Sequence, residues 1–190
     1  MIRTISGVLA NKSEKGVVVE VGGIGFKIVM PKNAISTLVD VGSSLKLHTY
    51  LAVREDSLDL YGFLDAKSLE LFERLISVSG VGPKSGLAIL GIAPAEQLAA
   101  AINEGRTELL TRVSGIGKKI AERVVLELKG KLSLTTSPQM LDLMSADMEL
   151  EETLTALGFS RTQAKAAVAR VPKQMTDFKE RLREALKQSK

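Results

Sequence analysis

The first third of the chain alternates short apolar runs with turn residues, which is typical of β-strands joined by tight connections. The segment at 16–21 is β-branched, and Gly22 and Gly23 form a turn before the next apolar run. A short helical segment is predicted at 31–39. The five predicted strands occupy residues 2–10, 16–21, 24–30, 45–53 and 58–63. Five strands with a helix after the third predict a small Greek-key barrel of the OB type.

From residue 64 the pattern changes to helical spacing. Asp65 can cap a helix whose apolar residues lie mostly on one face, and Pro83 suits the first position of the next helix because its missing N–H costs nothing there. Further helices are predicted after Pro94, from Thr107 and from Lys118. Residues 64–132 are therefore predicted to form an all-helical domain.

One short motif occurs twice within this helical part. Residues 78–84 are Val-Ser-Gly-Val-Gly-Pro-Lys, and residues 113–119 are Val-Ser-Gly-Ile-Gly-Lys-Lys. Two glycines around an apolar residue allow positive φ and a close approach of the backbone to a ligand. The N–H groups at the start of the following helix lack internal acceptors, so the turn can hold an anion, and the lysine favours phosphate. One copy would suggest an ordinary turn with a C-cap glycine, but the repeat favours a phosphate-binding pair.

The last third begins with an uncharged, hydroxyl-rich segment at 133–139, which predicts the start of a flexible linker. A three-helix module is predicted to follow, with Gly158 ending its first helix and Ser160 capping the second. The apolar residues expected to line the first and third helices are Leu150, Leu154, Leu157, Phe178, Leu182, Ala185 and Leu186. The predicted fold is α+β and multidomain: an OB-type barrel (1–63), a tandem helix-hairpin-helix domain (64–132), a linker (133–146) and a C-terminal three-helix domain (147–190).

Composition narrows the possible functions. The chain has 190 residues, 45% of them apolar, which is ample for burying a core. It has no cysteine and one histidine, His48, so thiolate and multi-histidine metal sites are excluded. The N-terminus lacks the features of a signal peptide, and the longest apolar stretch is too short for a bilayer. We expect a soluble cytoplasmic protein that does not contact membranes.

The net charge of +4 is concentrated near the second motif. Residues 110–131 contain six basic side chains and two acidic ones, an excess that equals the net charge of the whole chain. A charge run is commonly a solvated helix face, but a basic patch beside a phosphate-binding turn is the pattern expected for a surface that binds a DNA or RNA backbone.

Glu55 and Asp56 lie between the last two predicted strands, at a hairpin tip. On spacing alone, two solvated carboxylates are the simplest interpretation. A catalytic role is disfavoured because no third acid or histidine lies nearby in the sequence to complete a metal site. The alternative is repulsion, since a fixed negative tip would push phosphates away.

The two motifs resemble the tandem helix-hairpin-helix pair of the RuvA family, the Holliday-junction-binding proteins of bacterial branch migration. Residues 21–25, 53–56 and 60–63 resemble that family's first domain, and residues 156–160 resemble its third. The resemblance is strong through residue 132, absent in the linker and weaker in the tail. Ser114 stands where the family commonly has proline.

The resemblance implies structure-specific, sequence-independent binding of four-way (Holliday) junction DNA in recombination and DNA repair. In that family the acidic pair, here Glu55 and Asp56, forms a pin at the junction centre. The third domain docks on a hexameric RuvB-type ATPase, so the expected contacts are Leu157, Gly158 and Phe159. The family is tetrameric, sometimes with two tetramers face to face, and a RuvC-type resolvase is a further expected partner. The expected DNA-binding residues are Gly80, Gly82, Lys84, Ser85, Gly115, Gly117, Lys118, Lys119 and Arg123.

Two other classes stay open. A helix-hairpin-helix glycosylase or nuclease would need cysteines for an iron–sulfur cluster, an aspartate shortly after a hairpin, or an aromatic pocket for a flipped base. The sequence offers none of these. An RNA-binding adaptor would use the barrel, where aromatic residues are few. The chain lacks a phosphate-binding Gly-Lys-Ser/Thr motif, so any ATP hydrolysis is expected from a partner, and neither a cofactor nor a metal is expected.

Overall fold

The computed structural model of the protein describes residues 2–132, 138–172, 175 and 177–187. The chain forms two compact units, Met1–Thr135 and Thr136–Lys190. The first unit starts with the strands β1 (Thr4–Ser13), β2 (Gly16–Val21), β3 (Ile24–Val29), β4 (Ser44–Val53) and β5 (Leu58–Phe63). They close into a barrel in the order β1-β2-β3-β5-β4, and every pair is antiparallel except β3 with β5. The predicted five-stranded barrel is confirmed.

The barrel interior is built by alternation along the strands. Alternate side chains of each strand point inward, as expected for a sheet with one buried face. The short helix α1 (Lys32–Ile35) begins after Pro31 and adds Ile35 to this interior. The buried cluster consists of Ile5, Leu9, Val17, Val19, Ile28, Met30, Ile35, Leu45, Leu47 and Leu60.

Five helices complete the first unit: α2 (Ala66–Ser77), α3 (Pro83–Leu90), α4 (Ala95–Glu104), α5 (Thr107–Thr111) and α6 (Lys118–Leu128). Asp65 caps α2 by accepting a hydrogen bond from the backbone N–H of Ser68 at 2.7 Å, and Pro83 opens α3, both as predicted. Helix α3 lies so close to α2 that a Cβ added to Gly86 would come within 3.0 Å of the Ile76 side chain. The two helices of the first helix-hairpin-helix motif are therefore tightly packed.

Phe72 joins the helices to the barrel. Its fully buried ring lies 4.9 Å from the ring centroid of Phe63 and 5.5 Å from those of Tyr50 and Tyr61, all on one face of the β4–β5 ribbon. Aromatic pairs at these separations add about 0.5–1.5 kcal/mol each beyond their burial. A hydrogen bond adds to this contact between the barrel and the helices: the side chain of Asn33 in α1 donates to the carbonyl of Leu90 in α3 at 3.0 Å.

The second unit contains α7 (Pro138–Ala156), α8 (Arg161–Ala169) and α9 (Phe178–Lys187). The predicted capping box is present, since Ser160 and Gln163 bond reciprocally at the start of α8. The buried cluster consists of Leu150, Leu154, Ala164, Ala167, Val168, Val171 and Ala185. Helix α7 begins at Pro138, within the segment predicted as linker, because a proline suits a helix start even where the sequence lacks clear helical spacing. Residues 133–137 of that linker lie outside the described ranges.

A buried arginine was not foreseen in the second unit. Arg181, in α9, is 1% exposed and pairs through Nη2 with the Asp147 carboxylate of α7. Its Nε and Nη1 atoms have no hydrogen-bond partner among the described residues. Nearby, burial raises the pKa of Glu151, which Lys165 lowers and Asp147 raises further. The ion pair therefore ties α9 to α7 at the edge of a small apolar core.

Within the described ranges, no single helix is long and apolar enough to cross a bilayer. Helices α3 and α4 satisfy that criterion only as a pair, with a bend of 101° between them.

Candidate nucleic-acid interface

The two repeated motifs fold into hairpins of the same construction. Gly80 and Gly115 take φ of +93° and +87°, values that strain any residue with a Cβ. In the first hairpin the N–H of Val81 donates to the carbonyl of Val78 at 3.0 Å. In the second, the N–H of Ile116 donates to Val113 at 2.9 Å. The apolar residue between the glycines is buried in both copies, so each hairpin is anchored in the helical core.

The second glycine of each motif has a different conformation. Gly82 (φ −86°, ψ 172°) and Gly117 (φ −82°, ψ 169°) are extended N-cap residues, so the sequence-based expectation of positive φ holds only for the first glycine. A Cβ added at either position would meet no atom within 4 Å. Neither backbone strain nor internal packing accounts for these glycines. The space that they leave open faces outward, where a ligand can approach the backbone closely.

Open N–H groups lie around these glycines. The first backbone hydrogen bond into α3 runs from Gly86 to the carbonyl of Gly82 at 2.9 Å. In α6, Ile120 and Ala121 both donate to Gly117 at 3.0 Å. Ahead of these bonds, the N–H groups without an acceptor in the described part of the chain include those of Gly80, Gly82, Lys84, Ser85, Gly115, Gly117, Lys118 and Lys119. Each helix start is thus a site of partial positive charge that can bind an oxyanion.

Basic side chains flank both helix starts. Lys84 and Lys119 are exposed at equivalent positions, the second residue of α3 and of α6. Lys118 is also exposed and lies 4.0 Å from Glu122, a surface pairing of little energetic weight. Ser85 is half-buried in the first turn of α3, and its own backbone N–H is one of the open groups. The structure therefore brings the predicted residues of each motif together at one helix start.

Arg123 has a contact that local sequence could not indicate. Its Nη1 donates to the carbonyl of Ser79 at 3.0 Å, which links α6 to the first hairpin. Ile120, on the same helix, lies against Gly80, where a Cβ would be 3.6 Å away. At the equivalent position of the second hairpin, a Cβ on Gly115 would meet no atom of the described residues within 4 Å. The predicted phosphate ligand Arg123 thus also braces the neighbouring turn.

The acidic pair occupies the tip of the β4–β5 ribbon. The N–H of Arg54 donates to the carbonyl of Ser57 at 2.9 Å, which closes the turn around Glu55 and Asp56. Both carboxylates are exposed, and neither forms an ion pair within the described residues. The tip therefore carries a local negative charge on the same compact unit as the two hairpins.

In the second unit, the predicted partner-binding residues lie at the turn between α7 and α8. Leu157 is 58% exposed directly after α7, although the sequence pattern placed it on the apolar face of that helix. Gly158 has φ of +98° and ends the helix as predicted. Phe159 is half-buried and packs on the core of this unit. Among the described residues, no group of three or more acidic or histidine side chains could hold a metal ion.

A closed OB-type barrel carrying an acidic tip, joined to two hairpins with open helix starts, defines a tandem helix-hairpin-helix protein. Family models agree with each part: "RuvA N terminal domain" matches residues 1–62, "SAM-like Helix-hairpin-helix tandem" matches 72–131, and "RuvA, C-terminal domain" matches 148–190. The chain belongs to the RuvA family.

Relatives share nearly the whole length of the chain. A protein of Roseiflexus sp. (strain RS-1) is 44% identical over 98% of this chain and 98% of its own length. One from Chloroflexus aggregans is 44% identical over 98% and 97%, and one from Thermus thermophilus is 43% identical over 88% and 87%. All three are named Holliday junction branch migration complex subunit RuvA.

The two glycines of a hairpin should respond differently to alanine. Gly80→Ala is expected to lower the free energy of unfolding by about 1–2 kcal/mol, because a residue with a Cβ is strained at positive φ. Gly82→Ala should leave stability unchanged or raise it by up to about 1 kcal/mol, since its backbone suits alanine and no atom is displaced. Urea unfolding of the full chain measures both. Equal destabilisation by the two substitutions would contradict the assigned geometry.

Proposed function

We propose that this protein binds four-way DNA junctions by structure rather than by sequence, as the DNA-binding and non-catalytic subunit of a branch-migration complex in recombination and repair. The observation that carries the proposal is the pair of equivalent helix starts, each with unpartnered N–H groups, an outward-facing glycine and an exposed lysine. Such groups recognise phosphate without reading bases. The names of the relatives support the same substrate.

The roles of individual residues follow from this arrangement. The backbone N–H groups at Gly80, Gly82, Gly115 and Gly117 bind phosphate oxygens directly. Lys84, Lys118, Lys119 and Arg123 add charge around them, and the Ser85 hydroxyl adds a further donor. Because both hairpins belong to one compact unit, they grip one duplex arm at two fixed points. A four-armed substrate is matched most simply by four copies of the chain, arranged as a tetramer or as two tetramers face to face.

The acidic tip has the opposite role. Glu55 and Asp56 repel phosphates from the centre of the assembly, so that a continuous duplex cannot cross it while the separated strands of a junction pass around it. The C-terminal unit recruits a hexameric RuvB-type ATPase through Leu157, Gly158 and Phe159, and a RuvC-type resolvase is a possible further partner. The cytoplasm is the expected compartment.

Lys119→Ala tests the phosphate contact. Junction affinity should fall, and the slope of log K against log salt should become shallower by about 0.9 for each phosphate that the chain no longer neutralises. A gel-shift titration of junction, linear duplex and single strand at several salt concentrations measures both quantities. Lys179→Ala, which removes an exposed lysine of the C-terminal unit, is the matched control and should change neither.

The same titration separates the remaining alternatives. Unchanged affinity and slope in Lys119→Ala would refute the phosphate assignment. Cleavage of the junction in the presence of Mg²⁺ that survives repurification would indicate a nuclease, and effective competition by RNA would indicate an RNA adaptor. Gly82→Ala/Gly117→Ala, which should fold normally, is expected to weaken junction binding because each methyl group stands between a phosphate and the open N–H groups.

Neutralising the acidic tip should lower selectivity while raising affinity. In Glu55→Gln/Asp56→Asn, binding to duplex should strengthen more than binding to junction, most clearly at low salt, because exposed charges are screened over about 10 Å at 0.1 M ionic strength. The measurement is the ratio of the two dissociation constants at two salt concentrations. Glu14→Gln/Asp40→Asn removes two exposed acids elsewhere on the barrel and controls for net charge. A ratio equal to that of the wild type would reduce the tip to solvated carboxylates.

The exposed Leu157 should contribute to binding of the ATPase and not to binding of DNA. Leu157→Ser in the full chain is expected to weaken binding of a RuvB-type ATPase about thirty-fold, the scale of an interface hot spot, while leaving the junction Kd unchanged. Pull-down of the ATPase and gel shift of the junction measure the two effects. Leu186→Ser, another exposed leucine of the same unit, is the control. Loss of junction binding in Leu157→Ser would argue against separate roles for the two units.

A further inference from the structure

The β4–β5 ribbon carries an apolar pair just below its acidic tip. Val53 and Leu58 pair directly across the ribbon and are 68% and 72% exposed. Directly opposite residues in an antiparallel pair lie on the same face. The next pair on that face, Leu51 with Leu60, belongs to or packs against the barrel core. The ribbon therefore extends the apolar stripe of the barrel beyond the barrel itself.

The other face of the ribbon is different. Alternation places Arg54 and Asp59 there, on the same side as Tyr61, which packs against Phe72. The electrostatics agree, since the pKa of Tyr61 is raised by burial and by Asp59 and lowered by Arg54. The protruding end of the ribbon thus has one polar face, one apolar face and an acidic tip.

This combination limits what can cover Val53 and Leu58. A phosphate backbone is repelled by Glu55 and Asp56, two or three positions away in the sequence. A second copy of the chain is the alternative occupant, and the oligomeric mass of a variant tests it. A nucleobase is uncharged, flat and apolar on its faces, and aliphatic side chains are known to insert between base steps and unstack them.

We propose that Val53 and Leu58 form a platform that receives unstacked nucleobases at the point where strands exchange in the junction. The inference rests on the proposed function, which brings a strand crossing to the acidic tip. The tip turns the phosphates outward, and the bases of the same nucleotides face the apolar pair. Because neither side chain has a hydrogen-bonding group, the platform holds any base, in keeping with binding that does not depend on sequence.

A junction with 2-aminopurine at the crossing reports the state of that base, since its fluorescence rises when the base is unstacked. Wild-type full-length protein should raise the fluorescence. Val53→Ser/Leu58→Ser should bind the junction but shift the probe about tenfold back toward the stacked form, through loss of part of an aliphatic burial. Leu58→Met, which keeps the platform apolar, should behave as wild type.

The β2–β3 hairpin offers a matched control. Ile24 is 63% exposed beside the Gly22–Gly23 turn and pairs with Val21, with no acid at its tip. Ile24→Ser should leave the fluorescence response intact. No rise with wild type, or an undiminished rise with Val53→Ser/Leu58→Ser, would overturn the platform. A change of oligomeric mass in that double variant would assign the pair to a protein contact and overturn it as well. Failure of the wild type to bind junctions would instead reject the proposed function.

Discussion

The contact of Phe72 with three aromatic rings joins the two parts of the proposed DNA-binding surface, the acidic tip and the hairpins. Tyr50, Tyr61 and Phe63 belong to the ribbon that carries the acidic tip, whereas Phe72 belongs to the helix that leads into the first hairpin. One aromatic cluster therefore connects the part of the surface proposed to bind phosphate with the part proposed to repel it. A hinged connection would let the tip and the hairpins move independently, and the proposed selection of branched DNA requires that they do not.

The two hairpins are similar in construction but unequal in support. Ile120 and Arg123 of α6 reach the first hairpin, while a Cβ on Gly115 of the second would meet nothing within 4 Å. Helix α6, which begins at the second motif, therefore also contacts the first hairpin. Arg123 supports the first hairpin by donating to the carbonyl of Ser79, in addition to its proposed contact with phosphate.

Local chemistry made much of this structure predictable. The strands followed from alternation, and the hairpins followed from glycines and a lysine that lie within a few residues of one another. Contacts between distant segments were not predictable, because an apolar helix face or a charged side chain does not show which segment it will contact. Arg123, for example, donates to a carbonyl 44 residues away. The spacing of α9 puts Arg181 near its apolar face, but spacing alone does not indicate that this charged side chain is buried against Asp147 of α7. Gly82 shows a further limit. The sequence does not distinguish a glycine needed for a positive φ from a glycine that leaves the backbone accessible to a ligand.

The buried pair of Arg181 and Asp147 restricts how the C-terminal unit can change in sequence. Loss of the aspartate alone leaves a cation without a counter-ion inside the protein, whereas replacing both residues with well-packed apolar side chains is often neutral or stabilising. The two acceptable states are thus separated by an unfavourable single step. Descendants of this protein would tend to keep both residues or exchange both, so the pair should drift as a unit while neighbouring surface positions vary one at a time.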